Sequence, residues 1–427
     1  MAARAAAIVG IHEYPSRRVD GVSKWQIKAE SAARALADAG LTLADVDAVY
    51  DAGETGPMAG IAVPEYLGIT PRLVDTTAVG GSSYEFHAAH AARDIAAGRA
   101  RVALLTYGST AKSESRAIGT GARSMGDPAP GNNMEVPYGL PLIGNYALVA
   151  QRHMHQYGTT PEQLAEIAVT TRAHAVRNPE AVAGLAALGI RNSGEITVDD
   201  VLGSPLVADP LHVLDCCLVS DGGGAVVIAA ADVARDCRTT PVWITGAGEA
   251  VGYPGNDRDI TTSAAALSGP PAFAEAGVRP EDVDIAMIYD SFTITVLTLL
   301  EDLGFAKKGE GGPYVEGGRL RFDRPGAPAL NTDGGGLSSN HPGMRGIFLL
   351  IEATRQLRGE STAQVEGART AVAHGNGGLL GTRRWSGTRR CGRGRRALER
   401  RQLGRGEGRR DLALGIDLFL DIAHEVA

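Results

Sequence analysis

The chain has 427 residues, 44% hydrophobic and 21% charged, with a net charge of −7. That is globular composition with enough length for a large core, and its acidic balance argues against a nucleic-acid surface. No run reaches the ~18 apolar residues of a membrane span, so a cytoplasmic protein is expected.

The opening MAARAAAIVGIHEYP reads as a first β-strand rather than a signal peptide. Residues 37–47 (ADAGLTLADVD) and 274–284 (AEAGVRPEDVD) then resemble each other. Each ends a helix at a glycine, turns through a short polar loop and enters an apolar strand. A second similarity follows each copy. Residues 80–108 run from a GGSS turn through an Ala-rich helix into a strand, and 334–378 run from a GGGLSS turn through a helix into a strand. The duplication predicts two similar α/β halves whose glycine turns face one shared site. The first half spans 1–240 with an inserted loop domain at about 112–215, and the second spans 241–382. Helices are predicted at about 143–157 and 161–177, the latter with Thr160 as N-cap and Pro161 at its first position. Tyr107, Tyr138 and Tyr146 are expected in the loop-domain core, and the Gly/Pro-rich 307–330 as a surface hairpin.

A glycine turn at a helix start presents free N–H groups and the positive end of a dipole, which suits a phosphate or a thioester oxyanion. No GxGxxG follows the first strand and no Walker lysine is present. SDGGGA (220–225) reads as a tight turn into a buried strand. In the first turn Ser83 lies near a helix start, where a nucleophile would sit, but no G-x-S-x-G elbow supports it. Cys216, Cys217, Cys237 and Cys391 form no CxxC pair, so they read as buried thiols and no metal site is expected.

Four stretches resemble the thiolase superfamily, in its sterol-carrier-protein-thiolase-like branch: VGGSSYEFHAAHAA (79–92), YDSF (289–292), NTDGGGLSSNHPGMRG (331–346) and HGNGGLLG (374–381). The resemblance implies two βαβαβαββ-like halves in a five-layer α/β/α/β/α sandwich. It places the family's nucleophilic cysteine at Ser83, its second, acid/base cysteine at Gly375, and an oxyanion-hole residue at Tyr289, and it keeps the GHP histidine as His341. Without a thiolate, acyl-cysteine chemistry is not expected. What remains is a scaffold for holding a thioester enolate. The resemblance is closest to bacterial steroid side-chain aldolases that lack both cysteines, which implies retro-aldol cleavage of a β-hydroxyacyl-CoA. It implies Tyr289 and His341 as catalytic residues, with Gly81, Tyr84, Tyr253, Asn340, Gly375, Gly377 and Gly378 lining the substrate. No cofactor is implied beyond the coenzyme A of the substrate. A homodimer and a DUF35 zinc-ribbon/OB-fold partner are. Acyl transfer through Ser83 and a non-catalytic acyl-CoA-binding subunit are the competing readings.

Residues 383–410 depart from the family with twelve arginines, no lysine and two glutamates. They read as a frame-shifted or a genuinely basic tail (383–427), poorly packed, with the last strand of the second half compromised and 411–427 forming a short helix.

Overall fold

Ser23 and Gln26 open the first long helix reciprocally. The Gln26 N–H donates to the serine hydroxyl (3.2 Å) and the Ser23 N–H to the glutamine side chain (2.9 Å), satisfying donors that a helix start leaves unpaired. The helix ends at Gly40, left-handed at φ 80°. Its counterpart in the duplicated passage ends at Gly277, at φ 70°. Each glycine leads through a short 3₁₀ turn into a strand, as the repeat predicts.

The computed structural model describes residues 5–52, 58–115, 141–252, 259–378 and the backbone of 417–421. The first half contains β1 (Ala6–Glu13), α1 (Lys24–Ala39), β2 (Ala48–Asp51), α2 (Ala59–Leu67), β3 (Leu73–Asp75), α3 (Ser83–Ala96) and β4 (Val102–Ser109). Helices α4 (Leu142–Tyr157), α5 (Pro161–Ala175) and α6 (Pro179–Ala187) follow, then the hairpin β5 (Leu206–Ala208) and β6 (Leu211–His212), before β7 (Gly222–Ala230) closes the half. The second half contains β8 (Val242–Gly248), α7 (Ala265–Ala276), β9 (Ile285–Ile288), α8 (Thr293–Asp302), β10 (Ala329–Leu330), α9 (Gly346–Arg358), β11 (Thr370–His374) and β12 (Asp417–Asp421).

Outside the β5–β6 hairpin, the described strands form one curled sheet in the order β10-β9-β11-β12-β8-β1-β7-β4-β2-β3. Read outward from its middle, the sheet repeats itself. β1-β7-β4-β2-β3 mirrors β8-β12-β11-β9-β10, with β2 and β9 each parallel to both neighbours and the remaining pairs in each half antiparallel. Both halves are therefore βαβαβαββ. Their two sheets meet edge to edge through Ala7 opposite Trp243 and Ile8 opposite Val242.

The layers follow from which faces are apolar. Phe86 and Ala88 of α3 and Ile347 and Leu350 of α9 are buried in one cluster with Ile8 and Leu105 of the first half and Met287 of the second. The outer face of the first half is covered by Ala35 and Leu36 of α1. That of the second half is covered by Leu297 and Leu300 of α8, with Tyr146 and Leu164 of the inserted segment. Glycine and alanine make the close layers possible: a methyl on Gly10 of β1 or Gly248 of β8 would collide with the Ala35 or Ser268 carbonyl of the covering helix.

Several sequence expectations change. Thr160 caps α5 as predicted (Gln163 N–H to Oγ1, 3.4 Å), though the helix stops at Ala175. SDGGGA is indeed a turn into buried β7. There the Asp221 carboxylate accepts the Val19, Lys112 and Ser113 N–H groups. Residues 307–330 are not a hairpin: they hold two short helical turns, and their last residues become edge strand β10, parallel to β9. Tyr107 lies in β4 in the central layer, not in the loop-domain core. The largest correction concerns the end of the chain. Residues 417–421 form no helix. Their backbone is β12, inserted antiparallel between β11 and β8, so the last strand of the second half is present. Tyr138, Cys391 and the Arg-rich 383–410 lie outside the described residues.

Candidate active site

The second glycine turn connects β10 to α9, and its shape is set by Arg345. This side chain is completely buried, yet it contacts Asp290 (3.2 Å) and Asp333 (2.6 Å) and donates to the Asn340 carbonyl and amide oxygens (3.1 and 2.7 Å). Asp290 in turn accepts the N–H groups of Gly336 and Leu337, and burial pushes its carboxyl up to about 6. Asn340 completes the brace by donating to Glu13 (2.7 Å). Its amide thus holds the turn together.

On this turn His341 meets Tyr289, which follows β9. The Tyr289 hydroxyl and His341 Nε2 lie 2.9 Å apart, and the rings meet edge to face at 5.6 Å. Both side chains are buried. Burial, then the charge of Arg345, lowers the His341 ring to about 4, so it is neutral at pH 7. Burial also raises the Tyr289 hydroxyl well above its ordinary value, so it stays protonated. His341 Nδ1 has no hydrogen-bond partner among the described residues.

The first glycine turn packs on this pair from the other half. A Cβ on Gly81 would lie 2.5 Å from the Tyr289 hydroxyl oxygen, so only glycine admits the ring there. The 375–378 loop abuts the same turn: a Cβ on Gly375 would lie 2.6 Å from Ser82 Cα, and one on Gly80 would lie 3.0 Å from Gly377 Cα. The loop is held by Tyr146 of α4, which donates to the Gly378 carbonyl (2.7 Å), accepts from Asn376 Nδ2 (2.8 Å) and packs on Phe292.

The residues that the sequence marked fare differently. Gly81, Tyr289, His341, Gly375, Gly377 and Gly378 converge here. Ser83 is beside them, but its hydroxyl turns back into the loop, donating to the Gly80 carbonyl (2.7 Å) and accepting from the Val79 N–H (3.0 Å). The serine against Gly375 is Ser82. Tyr84 points into the first half, donating to the Thr106 carbonyl (3.1 Å) and packing on Tyr107. Tyr253 lies outside the described residues. Sequence reasoning missed Tyr146, the Asp290–Arg345–Asp333 network and Glu85, a buried acid in the first turn of α3. Glu85 and Arg345 left a signal, as charges inside otherwise apolar or glycine-rich motifs.

No group of three or more His, Cys, Asp or Glu is placed to hold a metal among the described residues. The thiols there are poor nucleophiles: burial pushes Cys216 up to about 12 and raises Cys217 further.

Comparison with known proteins supplies the family. The family described as Thiolase C-terminal domain-like matches residues 254–385. The acetyl-CoA acetyltransferase of Methanothermobacter thermautotrophicus is 33% identical over 89% of this chain and 98% of its own length. The chain belongs to the thiolase superfamily. Within it, the steroid side-chain-cleaving aldolase of Thermomonospora curvata is 33% identical over 84% of this chain and 92% of its own. The solved structure of an Ltp2–ChsH2(DUF35) aldolase superposes with a TM-score of 0.81 at 28% identity, covering 100% of both chains. These neighbours place the chain in the sterol-carrier-protein-thiolase-like branch of the thiolase enzymes. No described helix is long and apolar enough to cross a membrane.

Proposed function

We propose that this thiolase-superfamily chain cleaves a β-hydroxyacyl-CoA by a retro-aldol reaction, releasing a ketone and a shorter acyl-CoA. The observation that carries the reading is the buried, neutral Tyr289–His341 pair in a glycine-lined niche that, among the described residues, holds no activated thiol. A phenol whose pKa is raised remains a hydrogen-bond donor, and in a dry site such a donor favours the enolate over the neutral thioester. Retro-aldol cleavage needs that stabilisation and no covalent acyl-enzyme. The β-hydroxyl loses its proton, the Cα–Cβ bond breaks, and its electrons enter the thioester as an enolate that is then protonated on carbon. The aldolase relatives favour a steroid-like acyl group. The neighbouring complex favours a DUF35 partner, and a cytoplasmic homodimer is the assembly we envisage.

Acyl transfer is the second reading, favoured by the acetyltransferase relative. It is weakened by the Ser83 hydroxyl being engaged with backbone on both sides. The test is to co-purify the chain with a zinc-ribbon partner and assay a steroid β-hydroxyacyl-CoA for ketone and acyl-CoA. Tyr289→Phe is expected to lower kcat about 100-fold or more. Full activity in Tyr289→Phe would remove the pair from the mechanism. Acyl transfer that is lost in Ser83→Ala, without any cleavage, would establish the second reading.

A further inference from the structure

We propose that Asp290 is the positioning residue that sets Tyr289 against His341, and that its clasp holds only while the carboxylate is ionised. The inference rests on the retro-aldol reading and adds to it the group that fixes the pair. Tyr289 and Asp290 follow β9 directly, and the residues on either side of Tyr289 are both tied to the second glycine turn. On one side the Asn331 side chain accepts the Ile288 N–H (2.8 Å) and donates to the Ile288 carbonyl (2.7 Å). Asn331 enters the left-handed region, at φ 45°, where it makes these bonds. On the other side the completely buried Asp290 carboxylate accepts the N–H groups of Gly336 (2.7 Å) and Leu337 (3.2 Å) and lies 3.2 Å from the Arg345 guanidinium. His341 stands on the same turn, between Leu337 and Arg345. The carboxylate has little room to shift: a Cβ on Gly335 would collide with Oδ2, and one on Gly336 would lie 3.1 Å from Oδ1.

Donors from three residues converge on two carboxylate oxygens, so the clasp needs a group that only accepts. Protonation puts an O–H among N–H donors, and one of them loses its acceptor. Asp333 meets the guanidinium with both oxygens (2.7 and 2.6 Å), whereas Asp290 meets it with one. One positive charge thus serves two acids. Burial, with Asp333 adding to it, pushes the Asp290 carboxyl up to about 6 against the pull of Arg345 and the two N–H groups. It is ionised at pH 7 and largely protonated at pH 5. The other titratable groups that face it do not change in this interval. Burial keeps the Cys217 thiol and the Tyr289 hydroxyl protonated, and His341 on the same turn charges only near pH 4.

Asp290 therefore acts on stability and on activity with opposite signs. A carboxyl raised from 3.8 to about 6 contributes stability that is fully present below pH 3.8 and is lost as pH rises through about 6. The alignment of Tyr289 with His341 is gained over the same interval. A residue that only supports the fold moves both in the same direction.

The experiment measures ketone release by the chain co-purified with the partner, from pH 5 to pH 8, for wild type, Asp290→Asn and Arg345→Lys. Melting temperatures are recorded over the same range. Wild-type kcat is expected to fall about tenfold from pH 7.5 to pH 5, along a limb near pH 6, and to recover when the sample returns to pH 7.5. Asp290→Asn is expected to lower kcat at pH 7.5 about 10–100-fold, to leave KM within about threefold of wild type and to lose the limb. Its melting temperature relative to wild type is expected to become more favourable from pH 5 to pH 8. Arg345→Lys weakens the pull on the carboxylate and is expected to move the limb to higher pH, which keeps the idea testable if Asp290→Asn folds poorly. A wild type that cleaves with kcat flat from pH 5 to pH 8, or a limb that neither variant alters, overturns the role of Asp290 alone. A wild type that binds acyl-CoA and releases no ketone at any of these pH values overturns the retro-aldol reading itself.

Discussion

Tyr146 shows how a single side chain from the inserted segment governs the site without lying in a motif. Its hydroxyl donates to the Gly378 carbonyl and accepts from Asn376, so it sets the position of the 375–378 loop against Gly80 and Ser82. Removing the hydroxyl leaves the Asn376 amide and the Gly378 carbonyl without that partner, at a cost of about 1–3 kcal/mol. Tyr146→Phe is expected to lower kcat/KM about tenfold, consistent with 1.4 kcal/mol per decade, while circular dichroism stays native. A kinetically unchanged Tyr146→Phe would mean that the loop is positioned by other contacts. At this scale the sequence was partly legible. The four motifs located the niche, because the asparagine–histidine–proline and glycine-turn patterns are short and local. The direction in which a side chain points is not local. Ser83 and Ser82 are adjacent letters, yet the turn sends the Ser83 hydroxyl into its own loop. Tyr84 sits one residue further and lands in the core of the first half.

Two elements carry consequences of their own. α9 buries Glu352, and burial pushes its carboxyl up to about 7 against the pull of Arg355. A carboxylate raised from an unfolded value of about 4.5 contributes stability below that pH and loses it as pH rises through about 7. Glu352→Gln has no charge to bury. Its melting temperature relative to wild type is thus expected to become more favourable between pH 5 and pH 8. A pH-independent difference would show that Glu352 does not titrate in this window. β12 bears on the other end of the chain. It bridges β11 and β8 through backbone pairs on both sides, so it occupies the middle of the second half's sheet. Cutting the chain before residue 411 would bare two ladders at once. That truncation is expected to be insoluble. Deleting 386–408 instead keeps β12 and shortens the connection to it, which costs no more closure entropy than the longer one, and is expected to yield soluble protein. Solubility of the truncated chain would show that β12 is dispensable. The strand was hard to read in the sequence because an arginine-rich run separates it from the motif it follows, and a short apolar stretch alone does not distinguish helix from strand.

The whole molecule explains why the duplication was readable and why the site is not a property of either copy. Helix-ending glycines and the strands after them recur in each half because each must turn a helix back onto its own sheet. The turn that carries His341, by contrast, is built by the second half and gripped by the first. Ser220 Oγ accepts the His341 N–H (3.0 Å), Arg17 donates to the Ser339 carbonyl (3.2 Å), and Glu13, pulled down to about 2 by Arg17 and Arg355 despite its burial, accepts from Asn340. Tyr107 of β4 makes the central grip: its hydroxyl donates to the Pro342 carbonyl and accepts the Met344 N–H, both at 2.9 Å. It thereby fixes both flanks of Gly343, whose carbonyl lies 3.4 Å from the Tyr289 hydroxyl. Tyr107→Phe keeps the ring packed against Tyr84 and Phe348 and deletes only the grip. It leaves a carbonyl and an N–H without their partner between the halves, so unfolding stability is expected to fall by about 1–3 kcal/mol. kcat is expected to fall with it, because His341 is carried on the loosened turn. Denaturant unfolding and the cleavage assay on the same preparation check both, and a variant that loses stability but keeps full kcat would show that the turn holds its shape without the first half.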